Sequence, residues 1–173
     1  GYYAGWSNRA SSAYLYADYG RARTKTRRHL THLGLTADGT AGGDIYEIGG
    51  EYKFDTAAGT NKAWHVSPFV GLQLSHLKQN NYSERGAGVF VQNISSLNNT
   101  YFAGEFGTEF KRGLNNGGVC LRLGLRRIFN GDDLDLRFQY NGYPGHTYTA
   151  AAVKQDCTKG FVSLTGSAEL AKH

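Results

Sequence analysis

The stretch that decides the fold is Trp64-His65-Val66-Ser67-Pro68-Phe69-Val70-Gly71-Leu72-Gln73-Leu74-Ser75, in which apolar and polar residues alternate. Trp64, Val66, Pro68, Val70, Leu72 and Leu74 share one parity. His65, Ser67, Gly71, Gln73 and Ser75 share the other, and Phe69 breaks the rule. A side-chain period of two is that of a β-strand with two unlike faces. The pattern recurs outward from here. Gly86–Asn93 alternates with Phe90 misplaced. Tyr101–Lys111 sets Phe102, Phe106 and Phe110 against Glu105, Glu109 and Lys111, and Val119, Leu121, Leu123 and Leu125 alternate with Cys120, Arg122 and Arg126. Upstream, Tyr46, Ile48, Tyr52 and Phe54 oppose Glu47, Glu51, Lys53 and Asp55.

The length of the segments selects the kind of sheet. They run to about ten residues, the number that crosses a bilayer at a tilt. Aromatic residues near segment ends (Trp64, Tyr82, Tyr101, Phe129, Tyr140) suit the belts at headgroup level. The expected fold is therefore all-β, an antiparallel meander forming a transmembrane β-barrel. One parity faces lipid (Tyr46, Ile48, Val70, Leu72, Phe102, Phe106, Leu121, Leu123, Leu136). The other faces a wet lumen (Glu47, Glu51, Lys53, Glu105, Glu109, Lys111, Arg122, Arg126, Arg137).

Composition agrees with this reading. Among 173 residues there are 24 Gly, 12 Tyr, 9 Phe, 2 Pro and no Met, and mean hydropathy is −0.48. No run of eighteen apolar residues exists, which excludes a helical membrane span, whereas a barrel keeps half of each strand polar. The net charge of +5 is scattered through strands and forms no nucleic-acid motif.

Along the chain, strands are expected at Tyr2–Arg9, Ala13–Lys25, Asp44–Asp55, Leu134–Tyr140 and Phe161–Leu170 besides those above, about nine in all within one domain, 1–173. Leu30–Gly43 reads as a loop or strand end, Thr56–Lys62 as a polar turn, and Asn130-Gly131-Asp132-Asp133 as a hairpin turn. Asn141–Asp156 reads as a long irregular segment. Arg21, Arg23, Lys25, Arg27 and Arg28 crowd together, and such a cluster cannot lie in hydrocarbon. It suits a solvated rim, or a patch touching lipopolysaccharide phosphates or a translocating chain.

No catalytic order of Ser, His and Asp, no paired carboxylates, no phosphate loop and no metal-ligand spacing stands out, so no enzyme activity, cofactor or metal is expected. Cys120 and Cys157 would form at most one disulfide. The mixed charges of the lumen parity suit ion-pair ladders, which include Asp135 and Glu169 in this reading.

Several segments carry a resemblance. Tyr14–Leu35, Asp44–Phe54, Trp64–Gly88 and Tyr101–Arg112 resemble, in the same order, parts of the C-terminal β-domain of bacterial autotransporters, the translocators of type V secretion. Ser67-Pro68-Phe69-Val70-Gly71, Tyr82-Ser83-Glu84-Arg85-Gly86-Ala87-Gly88 and Gly104-Glu105-Phe106-Gly107 carry it most clearly. The resemblance implies a twelve-stranded outer-membrane barrel around a central helix. This chain would be an internal part of it with eight or nine strands, lacking early strands, the helix and the last strands. It also implies export of an upstream, covalently attached passenger domain to the cell surface. The partners would be outer-membrane lipid and lipopolysaccharide, the passenger and the outer-membrane assembly machinery. The alternative from another class is a complete eight-stranded barrel acting as an adhesin or structural anchor. A soluble ligand-binding barrel would need an apolar interior, and the interior parity here is charged.

Overall fold

The computed structural model describes residues 1–56, 64–114, 116–131, 134–151 and 156–168. Eleven strands among them form two antiparallel sheets. The first is the wall, seven strands in the order β1 (Tyr2–Ser7), β2 (Ser11–Leu30), β3 (Leu35–Phe54), β4 (His65–Gln79), β7 (Leu97–Leu114), β8 (Gly117–Asn130) and β11 (Thr158–Ala168). It curls into a half-barrel. Among the described residues its edges, β1 and β11, are not joined to each other. The second sheet is small, with the order β10 (Tyr148–Ala151), β9 (Asp135–Tyr140), β6 (Gln92–Ile94) and β5 (Tyr82–Ser83).

The alternation of the sequence is carried across the wall by its register. Glu51 pairs with Gly71, Gly71 with Glu105 and Glu105 with Arg126, while Tyr52 pairs with Val70, Val70 with Phe106 and Phe106 with Leu125. Rows of like character therefore share a face. The burial is inverted relative to a soluble protein: Glu51 and Glu109 are each 5% exposed, whereas Leu72 is 56% and Phe106 59% exposed. A contiguous apolar exterior of this extent marks a surface made for a non-aqueous neighbour.

The curvature has a direct geometric signature. Phe69, Gly107, Gly124 and Phe161 lie in one row across β4, β7, β8 and β11. Three inter-strand steps of roughly 4.8 Å separate the outer two backbones by about 14 Å. Their rings are nonetheless 6.3 Å apart. Side chains converge in this way only on the concave side, so the polar parity is inside. Gly107 and Gly124 open the furrow: a Cβ at Gly107 would meet the Phe69 ring at 2.8 Å, and one at Gly124 the Phe161 ring at 2.9 Å.

Three expectations change. Leu30–Gly43, expected as a loop or strand end, continues the hairpin: after a 3₁₀ turn at Thr31–Leu33, β3 starts at Leu35 and pairs with β2 throughout. Ala37, Gly39 and Ala41 are small enough to lie under a covering layer, and all three are buried. Gly86–Asn93 is not a wall strand. Gly86 takes φ +98°, with Thr36 O packed where a side chain would begin, and the chain forms a 3₁₀ turn at Gly88–Phe90 before the short β6. At the Asn130–Asp133 signal Gly131 takes φ +88°, but the expected hairpin is not formed, since β9 pairs with β6 and β10 and not with β8. Two of the nine expected wall strands thus belong to the second sheet, and the wall has seven. The irregular Asn141–Asp156 contains β10. Asp132, Asp133, the turn from residue 57 onward and Glu169 lie outside the described residues.

Candidate functional site: the inner face of the wall

Eight of the nine charged residues expected on one face meet there. Arg122 on β8 donates to Glu51 on β3 (Nη1 to Oε1, 3.3 Å) and to Glu105 on β7 (Nη2 to Oε1, 2.8 Å). Its guanidinium lies over the Phe69 ring, 3.8 Å from the centroid. Lys53 places Nζ 3.1 Å from Glu109 and 3.4 Å from Glu51, and Lys111 Nζ is 2.9 Å from Glu109. Arg126 faces Glu105 at 3.6 Å and donates to Gln73. Glu47 stands at the end of the network, where it accepts from Tyr16 Oη and Ser75 Oγ, both at 2.9 Å.

The pattern follows from strand order. Each acid on β3 or β7 has a base on β3, β7 or β8 within one or two rows, so charges of opposite sign interleave across the curved face. A carboxylate as enclosed as Glu51 is tolerable only when paired and hydrogen-bonded, and Arg122 together with Lys53 meets that need. A planar guanidinium also stacks on Phe69 while bonding two carboxylates, a combination that an ammonium cannot reproduce.

The ninth residue, Arg137, lies elsewhere. With Leu136 it sits on β9 of the second sheet, because the chain leaves the wall at Gly131, so neither shares a wall face. Of the remaining outward residues, Tyr46, Ile48, Val70, Leu72, Phe102, Phe106, Leu121 and Leu123 all fall on the convex parity by register. Tyr46 forms an aromatic pair with Tyr19 at 5.1 Å, and Phe102 one with Phe129 at 5.3 Å. Of the expected belt residues, Tyr82 and Tyr140 belong to the second sheet instead. Cys120 and Cys157 are not bridged.

A second cluster joins the two sheets. Glu84, 5% exposed, holds Arg28 of β2 through Nη2 to Oε2 at 2.5 Å and accepts the Gln92 backbone N–H at 3.0 Å. Arg28 also donates to the Phe90 carbonyl at 2.8 Å, and Asp38 and Arg85 exchange backbone hydrogen bonds at 2.9 and 2.8 Å. The hydrogen bond to Glu84 holds the Arg28 guanidinium above its ordinary pKa. Sequence reasoning noticed Tyr82–Gly88 as a motif but not this role. The pairing of Glu84 with Arg28 spans 56 positions and has no local signal in the sequence.

Among the described residues no group of His, Cys, Asp and Glu could hold a metal ion. No helix among them is long and apolar enough to cross a membrane, which says nothing of strands. In comparison with known proteins, the family model described as "Autotransporter beta-domain" matches residues 1–173. No curated protein matches the chain.

Proposed function

The chain belongs to the autotransporter β-domain family, a family of outer-membrane barrels, and from that premise we propose that it is the translocator wall that anchors a passenger domain and lets it reach the cell surface. The observation that carries the reading is the pairing of an exposed apolar convex face with a charged, internally paired concave face. The convex face is the lipid surface. The concave face lines a hydrated lumen whose charges neutralise one another, so a polypeptide in transit meets polar groups without a strongly held counter-charge.

The length of the strands supplies the orientation. In β3 the outward apolar row runs from Phe54 to Tyr46, nine residues, which at a barrel tilt spans about 23 Å, close to the apolar band of such proteins. Beyond Tyr19 and Tyr46, β2 and β3 continue out of the bilayer and bear the second sheet. Barrels keep short turns on the periplasmic side and longer elaborations outside, so this end faces the exterior. Among the described residues the edges of β1 and β11 are open, and a closed wall needs them paired, since unpaired backbone groups cannot face lipid. An eight-stranded barrel closed within this chain is disfavoured by the same open edges.

The test uses the full-length protein in a Gram-negative host with an epitope inserted in its upstream passenger domain. The epitope should be cleaved by protease added to intact cells. Leu72→Arg, which puts a charge on the lipid face at a cost of roughly 2–4 kcal/mol, should abolish both assembly and that exposure. An assembled barrel whose epitope stays protected in intact cells but is cleaved after lysis would refute the export role.

A further inference from the structure

The basic cluster of β2 divides between two faces. Arg28 points inward to Glu84. Arg21, Arg23, Lys25 and Arg27 share the convex parity of Leu15, Ala17 and Tyr19, so they continue the lipid-facing row of the strand directly past its aromatic end, and all four are exposed. Acids neutralise only the two ends of this row. Arg27 Nε is 2.7 Å from Asp38, and Arg21 Nε is 3.7 Å from Asp44 while donating to Tyr19 Oη at 2.9 Å. Between them, Arg23 and Lys25 stand opposite Gly42 and Thr40, and no carboxylate ion-pairs with either among the described residues. Lys78 of β4, opposite Asp44 on the same face, adds a further cation.

From this placement we infer that Arg23 and Lys25 form a binding site for the phosphate of an outer-leaflet lipid headgroup, whose acyl chains lie on the apolar rows of β2 and β3 below. The inference rests on the membrane reading above. The two side chains are about 7 Å apart along the strand, close enough to grip one phosphate from two sides. Arg23 lies four residues beyond Tyr19, about 10 Å along the bilayer normal at a barrel tilt, within side-chain reach of the headgroup layer. The neighbouring Gly42 has no side chain to shield that approach. A soluble polyanion or a passing polypeptide would have no need of cations on the convex face, turned away from the second sheet and the inner face.

The experiment reconstitutes the full-length protein in phosphatidylcholine nanodiscs containing a minor fraction of bisphosphorylated lipid A, and measures retained lipid A by native mass spectrometry. Each basic residue beside an anionic surface is worth about fivefold in affinity, so Arg23→Gln with Lys25→Gln should reduce retention roughly 25-fold. Arg9→Gln, which removes a charge at the opposite end of the wall, should leave it unchanged. Both variants should keep the heat-dependent gel shift of an inserted barrel, which separates failure of this site from failure of the membrane reading. Unchanged retention in the double variant, an equal loss in Arg9→Gln, or displacement of the lipid by millimolar inorganic phosphate would overturn the proposal.

Discussion

Arg122 does the work of three residues on the inner face: it bonds Glu51 and Glu105 and covers the Phe69 ring. Phe69 is the one apolar residue on the polar parity between His65 and Ser75, and it is 4% exposed. It belongs inside because Gly107 and Gly124 remove two side chains from its row and Phe161 closes the far end. Arg122→Gln should therefore leave the enclosed Glu51 carboxylate with Lys53 alone and destabilise the wall by on the order of 3 kcal/mol, read as a lower temperature for the gel shift of the assembled barrel. Arg122→Lys should recover only part of this, because an ammonium cannot stack on the ring and bridge both acids. A double change, Arg122→Leu with Glu51→Leu, should lose much less than Arg122→Gln alone. The charges themselves were legible in the sequence by parity. Their partners were not, since a contact such as Glu51 with Arg122 spans 71 positions and depends on curvature that no local pattern encodes.

At the scale of elements, β2 and β3 are each twenty residues long, about twice what a tilted strand needs to cross the apolar band. Their outer halves form the platform for the second sheet. The attachment is narrow: the Arg28–Glu84 pair, the Asp38–Arg85 bridge and the buried Ala37, Ala41, Ala87 and Ile94. Glu84→Ala should loosen this sheet from the hairpin and speed limited proteolysis in the turn between β9 and β10, where residues 141–147 are exposed, while the wall keeps its heat-dependent gel shift. A wall that fails together with the small sheet would contradict this division of labour. The second sheet was the least legible part of the fold. Gly86–Asn93 and Leu134–Tyr140 alternate as wall strands do, yet each follows a glycine with positive φ, Gly86 or Gly131, and pairs in the second sheet. A period of two identifies a strand without saying which sheet it joins.

For the whole molecule, the two faces of the wall carry the account. Seven strands share one register-matched apolar exterior, the charged interior is concentrated on β3, β7 and β8, and the exposed Val162 and Leu164 extend that exterior to β11. This much followed from alternation and segment length, because lipid outside and water inside impose the same period on every strand. The most direct test places single cysteines at Val70, Leu72, Gln73 and Ser75 of β4, in full-length protein with Cys120 and Cys157 replaced by Ala, assembled in the outer membrane. A membrane-impermeant maleimide small enough to enter the lumen should label positions 73 and 75 and spare positions 70 and 72. Equal labelling at all four positions, or preferential labelling at 70 and 72, would contradict the assignment of the convex face to lipid.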